Sequence, residues 1–266
     1  MNYWTQSKQN IFVAAHRGWS AKYPENTMEA FRAAAEAGVD QIETDIRITK
    51  DGELVLIHDA AVDRTTNGTG LVREKTLAEL RELDAGSWKG EEFTGCRIPT
   101  FREFMDYIAT LPEMTIDFEL KEYPVDGRDE ISYEVCDRVL KMVDEYGFTD
   151  RCVINTFNAK LHEYIQKKYG NKYRQHVYFP ITHMGEYTVD PYSYGYCVCM
   201  FGSDGHGIAT PEEFACIRKY GIRTWAGAWV KDEASVDFAI DCGAELITCN
   251  NPDVILNLLK AKNHHV

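Results

Sequence analysis

Four short apolar runs of this chain end in, or enclose, side chains that can bind cations or move protons: His16, the pair Glu43 and Asp45, His58, and the pair Glu119 and Lys121. Brought to one place, three carboxylates and two imidazoles form the donor set of a divalent cation flanked by two proton carriers. Oxygen-rich sites of this kind suit Mg2+ or Ca2+ better than zinc. Converging carboxylates are costly to bury unpaired, so a compensating cation is needed where they meet. Each residue also has a plainer role. His16 alone reads as a hydrogen-bonded structural histidine, Glu43 and Asp45 as ion-pair partners of Arg17, Arg47 or Lys121, and Lys121 as the neutraliser of Glu119. Adding Glu119 to the other two acids tips the balance toward metal.

Strand geometry is what would aim these groups together, since alternate residues of a strand face one side. Ile11 to Ala15 closes on His16, on the face of Phe12 and Ala14. In Gln41 to Ile46, Glu43 and Asp45 share one face and Ile42, Thr44 and Ile46 the other; in Thr115 to Lys121, Glu119 and Lys121 oppose Ile116, Phe118 and Leu120. His58 comes back by a turn. Asp51-Gly52 between two apolar runs is a strong hairpin signal. A two-residue loop there pairs Lys50 with Glu53 and sets His58 opposite Asp45, with Cβ atoms roughly 4.5 to 5.5 Å apart. A one-residue slip of register would turn the histidine away.

Apolar strands alternating with helices are expected at 11–16, 40–46, 114–120, 151–156, 175–179, 196–201, 223–228 and 245–249, the number that a (β/α)8 TIM-type barrel needs. Gly38, Gly147, Gly170, Gly221 and Gly243 each stand where a left-handed cap ends a helix before the next strand. Thr210-Pro211-Glu212-Glu213, Thr76 with Glu79, and Asn251-Pro252 mark helix starts. The return strand at 53–58 lies outside the parallel set. His16, Asp45 and Glu119 fall at C-terminal strand ends, where barrel chemistry gathers. An open doubly wound sheet is the competing architecture. The chain reads as one domain over 1–266, with a small inserted subdomain at about 59–98 after the second barrel strand and its hairpin. Long ordered insertions at a barrel mouth serve as lids or recognition elements.

Lys and Arg number 29 against 42 Asp and Glu, a net charge of −13, with no long basic run. Nucleic acid and stable membrane association are therefore not expected, and any phosphate must be met by a local cationic site. Residues 1–10 are polar without an apolar leader core, and no apolar stretch is long enough to span a bilayer, so the chain as given reads as cytoplasmic. The eight cysteines lack a CxxC pair and read as buried reduced thiols. His162, His176, His183, His206, His264 and His265 show no telling spacing, and Gly68-Thr69-Gly70 reads as a turn, not a phosphate loop.

Seven motifs, His16-Arg17-Gly18, Pro24-Glu25-Asn26-Thr27, Ile42-Glu43-Thr44-Asp45, Thr49-Lys50-Asp51-Gly52, His58-Asp59, Arg64-Thr65-Thr66 and Glu119-Leu120-Lys121, resemble in order and spacing those of the glycerophosphodiester phosphodiesterase family. The likeness is dense from 11 to 121 and thinner beyond, through Thr156-Phe157-Asn158, Trp225 and Asn251-Pro252-Asp253. It implies a metal-dependent hydrolase that cuts glycerophosphodiesters into glycerol 3-phosphate and an alcohol. By motif, His16 and His58 would be the acid/base pair. Glu43, Asp45 and Glu119 would hold Mg2+, Ca2+ or Mn2+, and Arg17 and Lys121 would grip phosphate oxygens. Trp225 is a candidate substrate wall as well as a core aromatic.

Two departures from the family pattern fall toward the alcohol side: Ala226-Gly227-Ala228-Trp229 after Trp225, and Asn250 after Thr248-Cys249 where the family often has Thr-Asp. The expected partner is a small glycerophosphodiester, and a homodimer stays open. Two other readings keep the fold. One is an enzyme of the phospholipase C-like or sphingomyelinase D-like type that cleaves intact phospholipid, using Trp88, Phe93 and Phe101 as an apolar lip. The other is a silent barrel that binds phosphorylated metabolites.

Overall fold

The computed structural model describes residues 11–265 except 126, 204 and 206; the polar segment 1–10 and His206 lie outside the described residues. Eight parallel strands close on themselves: β1 (Phe12–Ala15), β2 (Gln41–Ile48), β4 (Thr115–Leu120), β5 (Cys152–Asn155), β6 (Arg174–Phe179), β7 (Cys197–Met200), β8 (Arg223–Ala226) and β9 (Leu246–Cys249). Closure is made by β1, which pairs with β9 on one side and with the start of β2 on the other. The open-sheet alternative is thereby excluded.

The strands are largely buried on both faces: β1 and β7 are continuous apolar runs, whereas β2 and β4 alternate apolar residues toward the helices with polar ones toward the barrel interior. One face packs on the helices α1 (Met28–Ala37), α3 (Phe101–Ile108), α4 (Asp129–Glu145), α5 (Ala159–Tyr169), α6 (Pro211–Arg218), α7 (Glu233–Cys242) and α8 (Pro252–Ala261), and the other fills the barrel floor. The caps follow the chemistry of their residues. Thr100 and Thr210 form capping boxes with Glu103 and Glu213, and Gly38 and Gly243 close α1 and α7 in the left-handed conformation. Between β6 and β7 the chain runs through two 3-10 turns, Ile181–Met184 and Pro191–Ser193. All eight cysteines are free thiols, and only Cys216 is exposed.

The hairpin return β3 (Leu54–Leu56) pairs antiparallel with the end of β2, but one residue off the expected register: Ile46 faces Leu56 and Arg47 faces Val55. The loop has three residues instead of two. Thr49 Oγ1 donates to Asp51 Oδ1 (2.6 Å) and accepts from Glu53 N–H (2.8 Å), while Gly52 takes φ 87°. A turn that ends in a left-handed glycine lengthens the hairpin loop by one. Asp45 therefore stands opposite Ile57, whose N–H reaches the Asp45 carbonyl at 3.1 Å, and His58 lies beyond the paired stretch.

The segment 59–98 contains α2 (Leu77–Arg81) and packs a small core of its own, Val62, Val72, Leu80, Ala85 and Ile98, onto Val55 and Ile57. Its aromatics do not form the expected lip. Phe101 is wholly buried in the main core, Phe93 packs on Tyr23 at 5.5 Å, and Trp88 alone of the three is exposed.

Candidate active site

The registry of β2 and β4 assembles the acids, since Asp45 pairs with Glu119 and Glu43 with Asp117. Oxygen atoms of Glu43, Asp45 and Glu119 lie within 4.8 Å of one another, and all three residues are buried. Burial, then the neighbouring Asp45 and Glu119 charges, pushes the Glu43 carboxyl well above its ordinary value. Burial raises Glu119 as well, against the pull of Lys121. At Asp45 burial is overridden by Lys121, Arg17, His58 and the Asn26 amide, which hold its carboxyl well below the carboxylate range.

Two cations share this space. Lys121 Nζ lies 2.5 Å from Glu119 Oε1 and 3.1 Å from Asp45 Oδ1, and Arg17 Nε lies 3.4 Å from Asp45 Oδ2. Three buried carboxylates facing two cations leave negative charge unbalanced, and Glu43 Oε1 is buried with no hydrogen-bond partner. The residues present thus fit a divalent cation, whose hard oxygen donors they would supply.

Arg17 reaches the cluster because its backbone is left-handed, φ 58°, a costly conformation for a non-glycine residue. Its N–H donates to Glu43 Oε2 at 2.8 Å. Gly18 follows with φ 75°, pressed so closely on α1 that a Cβ would lie 2.7 Å from the Ala30 carbonyl carbon. Asn26, also left-handed at φ 55°, gives its amide N–H to Asp45 Oδ2 (2.7 Å) and accepts from Thr44 Oγ1 (2.8 Å).

Both predicted histidines line the same cavity, and each is held from behind. His16 Nδ1 donates to the Asn250 amide oxygen at 2.7 Å, leaving Nε2 toward the acids, 4.0 Å from Glu43 Oε2. Burial and then Arg17 lower its pKa to about 4. His58 Nδ1 bonds Asp59 Oδ1 at 2.6 Å, and burial lowers His58 too, aided by Lys121 and Arg17 and opposed by Asp45 and Asp59. Asp59 is fixed by Arg64 Nε (2.6 Å), Arg64 forks onto Glu25 (2.8 and 2.9 Å), and Glu25 accepts from Arg17 Nη1 (2.8 Å). An unbroken chain of hydrogen bonds therefore runs from His58 through Asp59, Arg64 and Glu25 to Arg17. Glu25 of the motif Pro24-Glu25-Asn26-Thr27 and Arg64 of Arg64-Thr65-Thr66 are its links.

The cavity, about 400 Å³, has a second wall that the sequence did not reveal. Phe157, Tyr178 and Phe201 stack with planes within 12° to 27° of parallel, and Trp229 stands exposed beside them. Gly227 leaves room for this wall, since a Cβ there would lie 2.9 Å from Phe201 Cε1. Trp225 is not part of the lining. It is 1 % exposed, packed beneath the cavity with Phe12, Ala14, Val153, Cys197 and Leu246, so the substrate-wall expectation at this position is corrected to a floor aromatic. Asp117, Asn155, His176, Thr248 and Asn250 also face the cavity.

A closed barrel with carboxylates, imidazoles and cations gathered at the C-terminal strand ends belongs to the class of (β/α)8 enzymes. The profile of the Glycerophosphoryl diester phosphodiesterase family matches residues 16–254. A glycerophosphodiester phosphodiesterase of Caldanaerobacter subterraneus subsp. tengcongensis is 34 % identical over 93 % of this chain and 97 % of its own length. A solved structure from Silicibacter pomeroyi superposes with a TM-score of 0.83 at 22 % identity, covering 99 % of this chain and 97 % of that one. The Oleispira antarctica phosphodiesterase in complex with its product sn-glycerol-3-phosphate superposes with a TM-score of 0.76 at 24 % identity, covering 94 % and 97 %. The chain belongs to the glycerophosphoryl diester phosphodiesterase family, whose members are enzymes.

Proposed function

We propose that this protein hydrolyses glycerophosphodiesters to glycerol 3-phosphate and an alcohol, with Glu43, Asp45 and Glu119 as ligands of a divalent cation and His16 and His58 as the proton carriers. The observation that carries this reading is the convergence of both imidazoles, Glu43, Glu119, Arg17 and Lys121 on one cavity, with the buried Asp45 within reach of both other acids. When bound, the cation would supply Lewis-acid stabilisation of charge on the phosphoryl oxygens. Arg17 and Lys121 bind the non-bridging oxygens and orient the diester against the strand ends. One imidazole takes the proton of the nucleophile, either water or the neighbouring glycerol hydroxyl, which would give a cyclic phosphate. The other gives a proton to the departing alkoxide, and such proton transfers are typically worth about 100- to 10,000-fold each. Asn250 and Asp59 hold the rings so that the free nitrogens face the reacting groups.

Among the described residues no helix is long and apolar enough to cross a membrane, and the lip that an intact-phospholipid enzyme would use lacks Phe101. The test follows glycerol 3-phosphate release from a panel of head-group diesters, with EDTA and with Mg2+, Ca2+ or Mn2+ added back, beside phosphatidylcholine vesicles. Release that EDTA stops and an added ion restores supports the proposal. Release untouched by EDTA, or cleavage of vesicles alone, overturns it.

A further inference from the structure

Asp117 and His176 form a buried pair that the chemistry above leaves unused. Asp117 lies on β4 two residues before Glu119, and His176 lies on β6; His176 Nδ1 bonds Asp117 Oδ2 at 2.7 Å. Both are at most 3 % exposed, yet both line the cavity. His176 Nε2 and Asp117 Oδ1 have no hydrogen-bond partner. The imidazole is held in place by Tyr178, stacked at 5.3 Å, and by Trp225, edge-on at 4.8 Å. A buried polar pair with orphaned atoms is destabilising compared with the apolar residues that usually fill a barrel interior. Its open atoms therefore call for a ligand.

The chemistry of that ligand follows from the neighbours. Asp117 and Glu43 make this part of the cavity negative, which disfavours phosphate oxygens, while Arg17 and Lys121 offer phosphate a cationic berth beside the acids. A neutral hydroxyl suits the floor: it can donate to Asp117 Oδ1 or pair with His176 Nε2 in either direction. The span is right for a glycerol. Glu119 pairs with Asn155 and Asn155 with His176, so His176 stands two strands, about 10 Å along the sheet, from Glu119.

We propose that His176, positioned by Asp117, receives the terminal hydroxyl of the glycerol half of the substrate and makes a free hydroxyl there a condition of productive binding. This rests on the glycerophosphodiester reading and adds a specificity-determining residue to it. A glycerol acylated at that oxygen has no donor for the pair and must push a chain into the buried floor. Sites built to bond a substrate hydroxyl reject analogues that lack it far more strongly than apolar pockets discriminate by size.

The experiment measures kcat/KM for the glycerophosphodiester of the panel that is cleaved best and for the same diester lacking only the terminal hydroxyl, in matching configuration. That hydroxyl is neither the nucleophile nor the leaving group in either route, so its loss reads binding alone. In the wild type the ratio should be about 100 or more. His176→Phe, which keeps an aromatic ring against Tyr178 and Trp225, should bring the ratio below about ten, mainly by losing activity on the hydroxylated substrate. His176→Gln should retain an intermediate ratio and serves if the Phe variant does not fold. A wild-type ratio near one, or equal losses on both substrates in either folded variant, overturns the proposal. A wild type that releases glycerol 3-phosphate from no member of the head-group panel overturns the glycerophosphodiester reading beneath it, a result plainly distinct from an active enzyme with an unselective ratio.

Discussion

The two halves of the barrel are built on different rules. From β1 to β4, the cavity is backed by a web of bonds and ion pairs linking His58, Asp59, Arg64, Glu25, Arg17 and Asp45. From β5 to β8, the same cavity is walled by Phe157, Tyr178, Phe201 and Trp229, with few polar groups. Charge stabilisation on a phosphoryl group tolerates little change of residue type, because charge, reach and proton affinity must all be right. An apolar wall tolerates much, because any ring or aliphatic group of suitable volume excludes water. The first half should therefore govern whether the reaction occurs, and the aromatic wall of the second half which alcohol leaves.

The hardest blow to that division comes from the imidazoles. His16→Ala or His58→Ala should each lower kcat by about 100- to 10,000-fold while leaving the thermal midpoint within a few degrees, because both rings stand at the cavity edge outside the packed core. Near-wild-type turnover in either variant would remove that histidine from the chemistry. Next in size is Arg64→Ala, which touches no substrate but frees Asp59 and Glu25 together. Losing a group that orients a reacting residue commonly costs about 10- to 100-fold, and the loss should fall on kcat more than on KM. An unchanged kcat would mean that the web is structural.

A smaller effect tests the other half. Phe201→Ala should change the preference among head groups by about three- to tenfold, the scale on which apolar contacts discriminate, while scaling kcat for a small alcohol little. A uniform fall across all head groups would show that the aromatic wall also serves the reacting phosphate, and the division between halves would fail.

The same contrast explains what could be read from the sequence. All eight parallel strands lie within two residues of their expected bounds, since each shows an apolar run or a period-two apolar face and a left-handed glycine closes helices such as α1 and α7. The clustering of Glu43, Asp45 and Glu119 was legible because period-two geometry puts each on a known face. Asp117 shares the face of Glu119 and Lys121 by the same rule and is legible on the same ground. The hairpin register was not legible, because Thr49 and Gly52 select a three-residue loop through side-chain bonds that the Asp-Gly signal does not encode. His176 shows no telling spacing in the sequence because its partner lies 59 residues away, across a neighbouring strand. Trp225 and Trp229 differ by one turn of loop, which alone decides that the first lies under the cavity and the second beside it.

His162 offers a last comparison, with His16. Burial lowers both rings to about 4, but His162 is wholly enclosed between α5 and the sheet, with its ring nitrogens 2.8 Å from the Gln175 side-chain amide and 3.0 Å from the Thr156 carbonyl, and it does not line the cavity. A depressed pKa thus marks burial and not function. Its consequence lies in stability. Unfolded, the ring titrates near 6.5, so below that pH the unfolded chain takes up a proton that the native one refuses until about 4. The neutral ring contributes fully above about pH 6.5, and its contribution shrinks as pH falls through that window. Denaturant midpoints of wild type and His162→Gln, measured from pH 7 to 4.5, should therefore draw together or cross, with a relative change on the order of 2 kcal/mol. Parallel curves over that range would mean that His162 is protonated in the native state or exposed to solvent, and its likeness to His16 would be only nominal.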